Sequence, residues 1–499
     1  MLTKKPLEHI PALVDIDFHF HLENLMRNLL WVTTVWICAC TGPTDTDTDT
    51  DTDTDTDTDV ELPETYSFPS RFDDNSSVSY NGQVFRQLLI DDMADQIAGM
   101  TTRINEGWFP ADGDVKDEIL FYYAFDSSTS GAASLNKTTT PSTLQITYDD
   151  VSSGKDLWGK LAGNDAKGQH KDWSVAFQGW QGEGGESPEL LIRSLIDTLD
   201  AQAVQYANGT LPLDPLGTPV EHVYLTPEGQ DIKQLLQKFT RVAVAFSQGA
   251  DDYLDDDTPD KGLMASHSVA EEGKNYSALE HAWDEGFGYF GASKAYGTWT
   301  DDEIADGYID EDGDGAIDLS TEYCWGHSKN AAKRDRGAVV ATDFTAEAWN
   351  GFLAGRHLLA QTTDELNEEE MTALKGHRDQ ALAAWEHAIV ATVIHYINDV
   401  LQDMQTFGTD SYSFSSHAKH WSELKGFALG LQFNRFSPLT DEAFVLFHET
   451  IGDAPVLPNA SETELSDYED SLRSARTLLG DAYGFPVENL GDDNGENGW

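Results

Sequence analysis

Positive charge is scarce in this chain. Lys and Arg number 31 against 88 Asp and Glu, a formal charge of −57. A field of that sign repels phosphate backbones and anionic headgroups, so nucleic acid is excluded as a partner. The same field attracts cations and keeps a protein dispersed in a salty medium; because the acids are spread along the chain, solubility is the reading of the charge as a whole. Cysteine is nearly missing too, with Cys38, Cys40 and Cys324 only, which rules out a disulfide-built scaffold. No apolar run reaches the roughly 20 residues that a spanning helix needs. Catalytic signatures are also lacking: there is no Gly-x-Ser-x-Gly and no phosphate loop. His448-Glu449 opens like a zinc-protease motif, but Gly452 stands where the second histidine belongs.

What is present suffices for a large core. Hydrophobic residues make up 39% and aromatics 11%, a composition that disordered chains do not have. A length of 499 residues allows two to four average domains or one large helical domain with insertions.

The segment from Met26 to Cys40 has the parts of an export leader: Arg27, an apolar stretch, then small residues. Ile37-Cys38-Ala39-Cys40 resembles the lipobox of bacterial lipoproteins, which implies a signal peptide over 26–39 and diacylglycerol on Cys40. With Cys38 removed and Cys40 acylated, Cys324 is left alone. Residues 1–25 carry His19, His21 and Glu23, unsuited to a leader, so the start is expected at Met26 and 1–25 is non-structural or untranslated. Asp-Thr then repeats from Asp45 to Asp59. Charges at every second position repel and Thr and Asp are poor helix formers, so 40–63 reads as an extended tether. About 16 such residues at up to ~3.5 Å each reach roughly 55 Å. Thr41 in place of Asp after the lipidated cysteine implies passage to the outer membrane. The bilayer, through acylated Cys40, is the expected first partner, and the cell envelope the expected location.

The body, 64–485, reads as mainly α. Apolar residues recur at helical spacing in Val84, Leu88, Leu89, Met93, Ile97 and Met100. Residues 125–185 are rich in Gly, Ser, Thr, Asp and Asn and predict long loops with short elements. Helices are expected near 187–207, 227–250, 274–292, 344–362, 367–406, 412–433, 439–451 and 462–482. Thr226-Pro227-Glu228 offers a cap for the second of these, and Leu374, Ala381, Trp385, Ala388 and Ile394 give 367–406 the stripe of a central bundle helix. Between 293 and 343 the pattern breaks into an acidic insertion, and 486–499 reads as a flexible acidic tail.

Two constellations carry chemistry. The run from Asp310 to Asp318 resembles the first nine positions of an EF-hand-type calcium loop. Asp310, Asp312 and Asp314 would give oxygens at positions one, three and five. The Ala316 carbonyl is next, and Asp318 ligates directly or through water. Gly315 makes the turn. Position twelve is Thr321, and Glu322 lies one residue late. Calcium here would pin an insertion with no core of its own. The second constellation is His281 with Asp284 and Glu285, three and four residues on, on one helical face. His420 and Glu423 repeat the histidine-then-acid spacing, and Gly-Phe follows in both places. Such pairs hold a transition metal or simply orient a buried imidazole. His387 and His395 fit a satisfied interior, His267 and His327 fall in loops, and Cys324 is either a nucleophile or a small buried residue.

These two stretches, with Gly273-Lys274-Asn275-Tyr276 before the first, resemble a bacterial lipoprotein family related to the imelysins, over residues 64–485. The signature of that group is Gly-x-His-x-x-Glu. His281 and Asp284 match its histidine and acid with Leu279 for the glycine; His420 and Glu423 match with Ala418 for it. The resemblance implies two related helical-bundle halves, iron or another transition metal as cofactor, and an outer-membrane receptor as partner in iron acquisition. Imelysins were once classed as peptidases, which keeps a metal-dependent hydrolase open. A calcium-stabilised interaction scaffold is the plainer alternative. Gly286, Gly288 and Gly291 read as close helix packing, since no strand precedes them.

Overall fold

Capping chemistry sets where the helices begin. Ser187 accepts from the Leu190 amide and Pro188 takes the first position, opening Pro188–Ala207. Ser277 with Glu280, Asn367 with Glu370 and Ser461 with Glu464 form reciprocal capping boxes for Ala278–Phe290, Glu368–Gln405 and Glu462–Tyr483. The computed structural model describes residues 62–165 and 167–499. It is mainly helical, with sixteen α-helices, and only isolated β-bridges stand in for strands among the described residues.

Glu368–Gln405 is the centre of the packing. Phe344–Gln361 pairs with it as a hairpin, and Phe414–Ala428, Gly326–Gly337 and Glu462–Tyr483 pack on its other sides. Every residue from Ala388 to Ile394 is therefore buried, as expected of a helix enclosed all round. Small residues let the backbones approach: a Cβ added at Gly351 would lie 2.7 Å from the Ala381 amide nitrogen. Asn81–Asn105 buries Val84, Leu88, Leu89, Met93, Ile97 and Met100 as their spacing predicts, against Ile232–Thr240, Ala278–Phe290 and Asp114–Tyr123. Gly286 and Gly288 do serve close packing, since a Cβ there would come within 2.7 Å of Leu254 and of Tyr80. No helix among the described residues is long and apolar enough to cross a membrane.

The structure differs from expectation in four places. Thr226-Pro227-Glu228 makes a turn, closed by the Gly229 amide on the Thr226 carbonyl, because Gly229 takes a left-handed φ of 86°. The helix starts later, at Ile232, capped by Asp231. Beyond Thr240 it continues as π-helix over Arg241–Phe246 and Gly249–Tyr253. The stretch 293–343 is not a coreless insertion: Gly326–Gly337 packs on the central helix and buries His327, Ala331 and Ala332. The tail 486–499 folds back instead of hanging free. Asn398 donates to the carbonyls of Leu490 and Trp499, and the buried Trp499 indole donates to the Arg334 carbonyl. An aromatic residue with a hydrogen-bonding handle anchors this tail, which its acids alone would not do. The leader at 26–39, Cys40 and the Asp-Thr repeat lie outside the described residues.

Candidate metal sites

The acidic loop is built from its backbone outward. Gly313 and Gly315 adopt φ of 71° and 85°, which turn the chain tightly enough to face alternate carboxylates inward. Asp312 Oδ1 accepts from the Asp314 amide, Asp314 Oδ1 from the Ala316 amide, and Asp310 Oδ2 from the Gly315 amide. Carboxylate oxygens of Asp310, Asp312 and Asp314 all lie within 4.8 Å of one another. Asp310 Oδ1 is buried and has no hydrogen-bond partner among the described residues. Ile317 anchors the far end: it is fully buried and bridges to Thr143, its amide donating to the Ser142 carbonyl at 2.9 Å.

Two expected ligands have other duties. Glu322 Oε1 accepts from the Glu311 and Asp312 amides at 2.9 and 3.3 Å, and Oε2 from the Asp318 amide at 2.8 Å. That carboxylate braces the loop from within. Asp318 Oδ1 takes the Gln145 amide and the Ser320 amide, both at 2.8 Å. The structure thus gathers three of the predicted carboxylates within reach of one ion, while Asp318 and Glu322 stand outside that group and accept from Gln145, Ser320 and the loop's own amides.

The pair expected at His281 separates. Asp284 is fully buried: Oδ1 accepts from Tyr66 Oη at 2.9 Å and Arg356 Nε at 2.8 Å, Oδ2 from the Ser79 amide at 3.0 Å. Burial pushes the Asp284 carboxyl up, against the pull of Arg356. Glu280 joins the same guanidinium at 3.2 Å. His281 instead donates from Nδ1 to the Ser79 carbonyl at 3.1 Å, stacks on Tyr276, and has only Glu285 near Nε2, at 3.8 Å. Glu285 itself accepts from Gln83 at 2.7 Å. This is an imidazole held by backbone beside a buried ion pair, and Asp284 is bonded to Tyr66, Arg356 and Ser79.

The second pair separates as well. Glu423 faces Lys238 at 3.2 Å and Lys419 at 3.7 Å, and burial pulls the Lys238 amine down to about 8. His420 turns to the central helix, where Asp403 Oδ2 lies 2.7 Å from its Nδ1 and Asp399 Oδ2 3.8 Å from its Nε2. The same Asp399 oxygen is 3.3 Å from His395 Nε2. Positions 395, 399 and 403 share one helical face, so the row is legible by spacing, and His395, expected as a satisfied interior imidazole, stands in it beside two acids. Burial pulls His395 down to about 3, with Arg334 adding to it, and raises Asp399. For His420 burial pulls down, but the Asp403 hydrogen bond and charge outweigh it and the net shift is upward. An imidazole held at Nδ1 by a carboxylate presents Nε2 outward, the usual arrangement behind a metal ligand. His395, Asp399 and His420 do not close on one point, however. Among the described residues the acidic loop is the group of three with mutual distances short enough for one ion.

Other candidates are structural. His267 is buried between the Ser277 hydroxyl at 2.9 Å and the carbonyls of Leu359 and Thr362 at 3.0 Å. His448 is buried against Phe444 and Phe447 while Glu449 is exposed, so the two share no open face. His387 lies against Tyr483 and Phe485, away from the His395 row. Burial pushes the Cys324 thiol up to about 11, the reverse of an activated nucleophile.

A family model described as a domain of unknown function, DUF4856, matches residues 192–350. That span holds His281, Asp284, Arg241 and the acidic loop, and leaves His420, Glu423 and the whole central helix outside. No curated protein and no solved structure matches the chain.

Proposed function

We propose that this chain is a lipid-anchored binding protein of the cell envelope, imelysin-like in type, that takes up a cation and does not turn over a substrate. Calcium in the loop of Asp310, Asp312 and Asp314 is the best-supported ligand. The observation that carries it is the convergence of three carboxylates within 4.8 Å, which repel one another unless a cation sits between them. The single buried Asp310 oxygen without a donor fits the same ion. Three carboxylates are hard oxygen donors, the kind that calcium prefers, and the Ala316 carbonyl is the expected fourth ligand. Titration of chelator-treated protein is expected to show one calcium site per chain. Saturation at about 100 times Kd stabilises the fold by about 2.7 kcal/mol. Asp312 and Asp314 are exposed, so Asp312→Asn and Asp314→Asn should leave the fold intact while weakening that site. Identical melting temperatures in calcium and in chelator would refute the reading.

A transition metal is a second reading, favoured by His420 Nε2, Asp399 and His395 standing in one row with Asp403 behind. It retains the role in iron acquisition, with an outer-membrane receptor as partner, keeps His420 of the second His-x-x-Glu pair and replaces Glu423 with His395 and Asp399 of the central helix. The lipid anchor rests on the lipobox-like residues. Labelling with a fatty-acid analogue is expected to vanish in Cys40→Ser and to survive in Cys38→Ser; the opposite pattern removes the anchor from the proposal.

A further inference from the structure

A cavity of about 350 Å³ opens between the central helix, the 434–438 segment and the end of Glu462–Tyr483. This lies within the range of small-molecule sites, about 300–1,000 Å³. Leu382, Phe436 and Pro438 give it apolar walls, and Glu386 lies at its floor, only 2% exposed. Tyr483 Oη donates to Glu386 Oε1 at 2.7 Å, and Asn434 Nδ2 donates to Oε2. Both partners are neutral. Among the described residues Asp284 and Glu280 have Arg356, Asp91 has Lys137 and Arg241, and Glu423 has Lys238. Glu386, like the buried Asp92, Asp200 and Asp335, is paired with no lysine or arginine, and of these four it is the one that lines the cavity.

No lysine or arginine lines the cavity. The nearest guanidiniums, Arg378 and Arg435, lie over the Phe436 ring and are held by Asp379, Asp255 and Asp256. Asp379 adds a second carboxylate to the lining. Burial pulls the His387 imidazole down, so this wall is neutral too, and burial raises Glu386 itself. A buried carboxylate without a counter-charge is costly. With Tyr483, Asn434 and the Ser437 hydroxyl as donors, the carboxylate keeps one of its roughly four acceptor positions free, and it lines the cavity. The chain's overall charge draws cations to that mouth.

We propose that this cavity binds a small organic ammonium ion, its charged head on Glu386 and its apolar body against Leu382, Phe436 and Pro438. A metal ion fits less well, since Glu386 belongs to no group of three ligands spaced for one ion and most of the wall is apolar. The inference is independent of the calcium and lipid-anchor readings.

The probe is benzylammonium, titrated into the full chain by calorimetry or ligand-observed NMR, with benzyl alcohol as its neutral counterpart. Saturable binding of benzylammonium is expected, with benzyl alcohol at least about tenfold weaker, the size of one charge-assisted hydrogen bond. Glu386→Gln keeps a planar polar group in place and should cost a similar factor. Ala383→Trp, at an exposed position of the lining, should block the mouth without touching Glu386. It keeps the test decisive if Glu386→Gln misfolds. Equal binding of the alcohol, undiminished binding in Ala383→Trp, or no saturable binding of benzylammonium would each overturn the proposal.

Discussion

Arg356→Met should lower the unfolding free energy by about 3–5 kcal/mol, the cost of leaving buried carboxylates without their cation. Arg356 is completely buried and holds Asp284 at 2.8 Å, Glu280 at 3.2 Å and the Ser77 hydroxyl at 2.6 Å. Asp284 in turn receives Tyr66 and the Ser79 amide. One guanidinium therefore ties Phe344–Gln361 to Ala278–Phe290 and both to the segment 66–79. Met matches the length of the Arg stem, so the loss comes chiefly from charge and hydrogen bonds. Asp284→Asn in the Met background removes the stranded charge and should restore part of the stability, because the amide oxygen still accepts from Tyr66. Urea denaturation of the two single variants and the double variant reads this directly. A single-variant loss below about 1 kcal/mol, typical of an exposed pair, would show that this network is not the join between those elements.

Periodicity and capping residues made the helices legible, because both are local. The stripe on Glu368–Gln405 and the Asn367–Glu370 box lie within a few residues of what they specify, and so does the Ser187-Pro188 start. The acidic loop was legible for the same reason: its first five positions are wired to one another by backbone amides. The histidine pairs were not. Spacing of three or four residues says that two side chains share a face, but not what stands opposite. Asp284 is claimed by Arg356, 72 positions away, and Glu423 by Lys238 across to another helix. Nothing near either acid in sequence announces those cations. The tail misled in the opposite sense: its acids suggested solvation, while Trp499 and the buried Asn489 decided where it went. The π-helical continuation of Ile232–Thr240 has no sequence signature that we can name.

Stability should stay nearly level from pH 7 to about 4 and then fall by on the order of 3 kcal/mol per pH unit between pH 4 and 3. Two opposing sets of groups produce that shape. Burial raises Asp92, Asp231 and Asp252 to about 6 and Asp255 to about 7. A carboxyl with a raised folded pKa binds protons more tightly when folded, so its penalty at neutral pH is relieved as pH falls toward the ordinary value near 4. Burial also pulls His327 and His395 down to about 3, His417 to about 4 and His448 well below its usual range. A histidine with a depressed folded pKa contributes stability that is full above about 6.5 and is lost as pH falls toward the folded value. Between 6.5 and 4 the two sets offset each other. Between 4 and 3 the unfolded carboxyls titrate in turn and their offset fades, while His448 stays neutral in the folded chain and His327 and His395 only begin to protonate there. Asp91 adds to the loss: despite burial, Lys137 and Arg241 hold its carboxyl far below the ordinary value, and that pairing is lost only in strong acid. Roughly two protons taken up on unfolding give the stated slope. His448→Phe, replacing a ring already packed on Phe444 and Phe447, should remove one of those protons and reduce the slope by about a half. Denaturation should be followed from pH 3 to 8 in chelator, so that calcium release does not enter. An unchanged slope in His448→Phe, or steep loss already between pH 6 and 5, would show that these buried imidazoles do not set the acid limit of the fold.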